Sequence, residues 1–254
     1  MSSTVSPSAG HPPRVDGGQS RTNQRATGRP RLLDRRELDE AAVLLARAFA
    51  EEPGNLALFP DPQRRRRYLE LGGRIQIDAS LAYAAVYAME VDGRLAGLAV
   101  WNPPHVKPRQ LGAIVRSRRQ LLRQTPQLVG GTPHVLAMLP RHARAGTRLV
   151  RARNRAVKQA SRGRAWHLAI LATDPDFQGR GVARRLLDHV LDRCDTDGLA
   201  AWLETTDPVN PPLYEHVGFQ TVVHLDDAAW LPGYWVMRRE PVPTTTHRSN
   251  EPAQ

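Results

Sequence analysis

The stretch from Ala165 to Leu187, AWHLAILATDPDFQGRGVARRLL, constrains this chain more than any other. Trp166 to Ala172 is apolar except for His167, the composition of a strand buried on both faces. Thr173-Asp174-Pro175 ends it, because proline cannot donate to a ladder and keeps the residue before it out of the helical region. Gln178-Gly179-Arg180-Gly181-Val182-Ala183 then leads directly into an amphipathic helix. A strand, a glycine-containing turn and a helix start together present unpaired backbone N–H groups to an anion. Gly179 and Gly181 permit positive φ and clear side chains from a ligand's approach, and Arg180 can add charge to a phosphate contact. The turn is not a dinucleotide fingerprint, which needs G-x-G-x-x-G and a later acidic residue, nor a Walker loop, which ends in Gly-Lys-Ser/Thr. Alone, it is equally compatible with an ordinary strand–turn–helix crossover.

The 254 residues suit one domain, at most two, with ample material for a core. A single cysteine, Cys194, allows no intrachain disulfide and fits a reducing compartment. Its place late in an amphipathic helix reads as a small buried filler. No apolar run approaches the roughly 20 residues of a membrane span. The first 30 residues lack the hydrophobic centre of a signal peptide, so a cytoplasmic location is expected. The net charge of +11 raises a nucleic-acid reading, but the excess is local. Residues 103–164 hold 15 Lys and Arg and no Asp or Glu, so this segment supplies more than the whole net charge. Its arginines lack interleaved aromatics, which speaks against base stacking.

Residues 1–28 and 241–254 read as disordered polar tails around a domain at 29–240, with 103–164 as a basic helical insertion flanking an acceptor site. Arg31 to Leu33 reads as a first strand and Asp34 or Glu37 to Glu51 as a helix stopped by Pro53-Gly54. A second helix starts near Pro62, and its four arginines, Arg64 to Arg67, read as a solvated face. Ala84–Val91 and Arg94–Trp101 form a hairpin through Asp92-Gly93. Val182 to Cys194 is a helix with an apolar stripe, closed at Gly198. Leu199–Thr205 is a strand parallel to 165–173 through a right-handed crossover. A short helix from Pro211 and strands near Gln220–Leu225 and Tyr234–Glu240 complete the order.

Two blocks carry a resemblance. Gln178-x-x-Gly181-x-Ala183 is followed, about thirty residues on, by Leu203-Glu204-Thr205-Thr206, Asn210 and Leu213-Tyr214-Glu215-x-x-Gly218-Phe219. Together and in this order they resemble the GCN5-related N-acetyltransferases, over roughly Arg31 to Glu240. Ala99-Val100-Trp101, Pro175 to Gly179 and the Leu-Glu-Thr…Asn-x-Pro-x-Tyr-Glu block are similar to the puromycin N-acetyltransferase branch. Ala183 stands where glycine is commoner, and the arginine-dense insertion leaves the substrate open.

The resemblance implies a mixed α/β fold with a mostly antiparallel sheet, one splayed parallel strand pair and helices on both faces. It implies acetyl-CoA as cosubstrate, its pyrophosphate on the N–H groups of Gly179, Arg180, Gly181, Val182 and Ala183 beside Gln178. The edge Leu171-Ala172-Thr173 would pair with the pantetheine amides, and the Thr173 N–H would polarise the thioester carbonyl. Glu204, a carboxylate at the end of an apolar strand, is the expected base, acting through water. Its alternative is a polar strand end paired with an arginine. Tyr214 is the expected acid for the departing thiolate, against a packed aromatic bonded to a backbone carbonyl. Asn210 would contact the cofactor or cap the short helix. His167, His216 and His224 lack ligand spacing and read as structural, with no metal expected. The acceptor implied is a small-molecule primary amine. A protein lysine or N-terminal acetyltransferase, or a non-catalytic nucleic-acid-associated protein, are the alternatives.

Overall fold

The computed structural model describes residues 28–104, 119, 123, 152, 154–225 and 233–243. The expectations for the tails and for most of the basic insertion lie outside these residues. Seven strands form one sheet in the order β1-β2-β3-β4-β5-β7-β6: β1 Arg31–Leu32, β2 Ala85–Val91, β3 Arg94–Asn102, β4 Ala165–Thr173, β5 Ala200–Thr205, β6 Gln220–Leu225 and β7 Tyr234–Arg239. β4 and β5 are parallel; every other neighbouring pair is antiparallel. Helices α1 (Leu38–Ala48), α2 (Pro53–Leu58), α3 (Pro62–Ser80), α4 (Val182–Asp197) and α5 (Pro211–Glu215) complete the labelled elements.

Both faces of the sheet are buried, which is why β3 and β4 read as continuous apolar runs. On one face α4 sets Val182, Leu186, Leu187, Val190, Leu191 and Cys194 against Ala99, Trp101, Leu168 and Leu203. On the other, α1 and its neighbours cover Leu98, Val100, Ile170 and Ala172. A helical segment at 154–160 extends that second layer, with Ala156 and Ala160 buried against Trp202, Tyr234 and Val236. Arg155 and Lys158 on the same segment are exposed, so this part of the basic insertion turns its charge to solvent.

α4 ends at Gly198 in the left-handed conformation, as its sequence anticipates. Asp195 near that end makes two 2.7 Å bonds to Arg239, tying α4 to β7. Three sequence expectations are corrected. α1 ends at Ala48 by its own cap, and Pro53 does not stop it but opens α2 as a first-turn proline. α3 continues past Ile75 to Ser80. Arg65 is not part of a solvated face, since its guanidinium is buried on the carbonyls of Phe59 and Pro60.

Close packing of α4 on β3 depends on Gly97. A Cβ there would lie 2.4 Å from Val182 Cγ1, 2.9 Å from Leu186 Cδ1 and 3.1 Å from the Ala172 carbonyl. Gly97→Ala is expected to destabilise the protein by about 1–3 kcal/mol through overpacking, read as a lowered urea midpoint at unchanged slope.

Candidate functional site

The pairing of β4 with β5 runs from Ala165–Ala200 to Leu168–Leu203 and stops there, although β4 continues to Thr173. The cause is local. Opposite β3, Val100 pairs with Ile170 but Trp101 with Leu168, so Ala169 is a bulge residue. A bulge bends its strand and raises its twist, and here it swings 169–173 away from β5. The N–H and C=O groups of Ala169 to Thr173 that face β5 therefore have no ladder partner among the described residues. The edge expected to be free is Leu171, Ala172 and Thr173, and it lies in this segment. Among the described residues, the Thr173 hydroxyl is also buried without a hydrogen-bond partner.

This edge runs into the turn that starts α4. Gly179 and Gly181 take φ of +75° and +80°, with open space where a side chain would stand. Gly181 is the N-cap and offers no side-chain cap, so the first N–H groups of the helix, at Val182, Ala183 and Arg184, have no partner of that kind. Gln178 is exposed beside them, and Val182 is anchored beneath by its seat on Gly97. Arg180 is not aimed into the turn. Its guanidinium lies 5.2 Å over the Phe177 ring and 3.3 Å from Asp92, an exposed pair of small energy that an anion can replace.

The turn is held by a charge network that the sequence did not show. Asp174, buried, accepts the Asp176 N–H and two bonds from Arg47 of α1, at 2.8 and 3.2 Å. Arg47 also reaches Asp176, which Arg94 contacts in turn, and the Arg94 guanidinium lies 5.1 Å from the centre of the buried Phe177 ring. A buried carboxylate deprived of its cation is costly. Arg47→Met is expected to lower stability by about 1–3 kcal/mol in chemical denaturation and to loosen the turn.

Where the strands part, two ionisable side chains stand on opposite faces of the sheet. Tyr214 of α5 belongs to the same buried cluster as Leu168 and Leu203, the last paired residues, and meets Phe219 edge-on. Burial pushes its hydroxyl up to about 12. Glu204 follows Leu203 and so faces the other way, half-buried, where its carboxylate accepts a hydrogen bond from the Tyr234 hydroxyl. Asn210 occupies the N-cap position of α5 but makes no side-chain cap bond; its amide donates to Thr205 Oγ1 at 3.1 Å. Cys194 is buried, its thiol pushed up to about 11 by burial, and it serves as core filler. His167 stacks on Trp202 and His224 on Trp235. Among the described residues no three metal-ligating side chains converge, and no helix is long and apolar enough to cross a membrane.

A free strand edge leading to an uncapped helix N-terminus suits an elongated ligand with amides at one end and phosphate at the other. The family profile of the acetyltransferase (GNAT) family matches residues 48–219, which include both elements. The chain belongs to that family. An N-acetyltransferase of Schizosaccharomyces pombe is 34% identical over 80 residues, 30% of this chain and 32% of that protein. The ribosomal protein bS18-alanine N-acetyltransferase of Salmonella typhimurium is 44% identical over 52 residues, 19% of this chain and 35% of the relative. The chain thus matches only about a third of the length of these curated relatives. A Corynebacterium glutamicum structure described as histone acetyltransferase HPA2 and related acetyltransferase shares the fold. It has a TM-score of 0.58 at 19% identity, over 86% of this chain and 99% of the other. The mixed α/β fold expected from the sequence is therefore shown.

Proposed function

We propose that this protein is an acetyl-CoA-dependent N-acetyltransferase acting by direct transfer to a primary amine of a small molecule. The observation that carries it is the end of β4–β5 pairing at Leu168–Leu203, directly beside the uncapped start of α4 at Gly181. Leu171, Ala172 and Thr173 would hold the pantetheine arm by backbone hydrogen bonds. Gly179 to Ala183 would hold the pyrophosphate, with Gln178 and Arg180 at the rim and Asn210 keeping the end of β5 in place. When bound, acetyl-CoA supplies an acetyl group activated as a thioester.

The chain's own residues then have separate tasks. Glu204, on the face of α1 and α3, takes the proton of the incoming amine, directly or through one water. Tyr214, on the face of α4, keeps its proton on Oη and offers it to the departing sulfur. Tyr234 holds the Glu204 carboxylate in orientation. The likeness to the puromycin branch rests on the sequence motifs alone. The name of the Salmonella relative favours a second reading, transfer to the N-terminal amine of a protein.

The test is release of coenzyme A thiol from acetyl-CoA by the full chain, with a small-amine panel including puromycin and an alanine-initiated peptide in parallel. Amine-dependent release with the small amines supports the proposal. Release with the peptide alone supports the second reading, and release with neither contradicts both.

A further inference from the structure

One cavity is left unfilled by the residues proposed for the reaction. About 530 Å³ lies between α1, α2, α3 and the bulge of β4, with Ala169 in its lining. The cavity therefore opens on the same face as Glu204 and at the same point where β4 leaves β5. Phe49, Tyr68 and Tyr83 supply aromatic surface to its lining. Tyr68 is stacked on Phe59 at 4.2 Å, so its ring is fixed before any ligand arrives.

Gly72 is the telling residue. It lies inside α3, where glycine weakens a helix, yet among the described residues nothing stands within 4 Å of the position its Cβ would occupy. No close packing requires a glycine there. What its missing side chain leaves is open volume beside the aromatic lining.

The charge of the cavity is equally selective. The chain carries 36 Lys and Arg, but among the described residues the lining includes none, and Glu52 is its only carboxylate among them. Glu52 Oε1 accepts a 3.0 Å bond from Thr206, just beyond the end of β5, and Oε2 accepts a 2.9 Å bond from Asn55. Its negative charge is thereby fixed at the side of the cavity nearest the parted strands.

We infer that this cavity takes the aromatic body of a small cationic amine, with Glu52 drawing the ammonium toward the parted strands. The inference rests on the proposed N-acetyltransferase reading and narrows its substrate class. It places amines with a flat apolar body above aliphatic polyamines, which would leave the aromatic lining unfilled, and above peptides, whose chains extend beyond the cavity.

The experiment compares 2-phenylethylamine, spermidine and an alanine-initiated hexapeptide as acceptors for the full chain, beside Gly72→Leu and Gly72→Ala variants. A preference for 2-phenylethylamine of about tenfold or more in kcat/KM is expected, the scale on which an apolar pocket discriminates. Gly72→Leu is expected to raise KM for 2-phenylethylamine about tenfold, with acetyl-CoA affinity and Tm retained, whereas Gly72→Ala has a smaller effect. Preference for spermidine or the peptide overturns the inference. So does a Gly72→Leu protein that acetylates 2-phenylethylamine with the original KM, and so does acetyl-CoA binding with no acetylation of any of the three. Failure of the wild type to bind acetyl-CoA overturns instead the reading on which the inference rests.

Discussion

Tyr214→Phe is expected to lower kcat by about a hundredfold or more while leaving acetyl-CoA affinity within about twofold. The substitution removes one hydroxyl and keeps the ring that packs in the cluster of Leu168, Leu203 and Phe219. Any loss is therefore a loss of the proton donor and not of the core. Burial holds the hydroxyl at about 12, above its ordinary 10.0, so the phenol stays neutral throughout the working range. A donor this weakly acidic stabilises a thiolate by a donated hydrogen bond, because full transfer to an ordinary thiol of pKa about 8.5 would be uphill. The pH–rate profile should show no ionisation of Tyr214 at neutral or mildly alkaline pH. The linkage has a definite sign. The folded state prefers the protonated phenol, so this contribution to stability is complete below pH 10 and is lost as pH rises through about 12. Tyr214→Phe should flatten that alkaline loss relative to the wild type, a difference that denaturation at pH 9 and pH 11 reads directly.

Glu204→Gln is expected to lower kcat by about a hundredfold as well, with KM for the amine changed little. Glutamine keeps the shape of the side chain and an oxygen that can accept from the Tyr234 hydroxyl, but it cannot take a proton. The deficit should therefore shrink as pH rises, because more of the amine arrives already deprotonated. A pH-independent deficit would assign Glu204 a purely structural role at the end of β5. The two variants act on opposite faces of the sheet, one on the incoming amine and one on the leaving sulfur. Their pH signatures should differ accordingly.

Much of this site was legible because its signals are local. Asp92-Gly93 between two apolar runs specifies its hairpin, and the stripe from Val182 to Cys194 specifies the inner face of α4. The glycines at 179 and 181 sit where the backbone takes positive φ, as the turn requires. What escaped the sequence depends on contacts between distant segments. Gly97 looks like a glycine that merely weakens a strand until Val182 and Leu186 are seen resting on it. Ala169 carries no signal of a bulge, since one more alanine in an apolar run changes neither composition nor period visibly. Asp174 reads in the sequence only as part of the strand end and Arg47 carries no signal there, and only the fold brings the Arg47 guanidinium onto the buried Asp174 carboxylate. Pro53 follows α1 closely enough to resemble its stop signal, yet a first-turn proline starts a helix equally well. The cavity was invisible for the same reason, because its lining comes from α1, α2, α3 and β4 and no two of its aromatics are adjacent in sequence.

The central claim is that the parted edge of β4 and the start of α4 form one binding site for acetyl-CoA. Calorimetric titration of the full chain with acetyl-CoA, beside a Gly181→Val variant, tests it most directly. The account predicts a wild-type Kd of about micromolar order, near −8 kcal/mol. It predicts a loss of about tenfold or more in Gly181→Val, because a β-branched residue resists positive φ and brings its side chain to the anion's approach. Absence of binding at millimolar acetyl-CoA, or equal affinity in the two proteins, would contradict it.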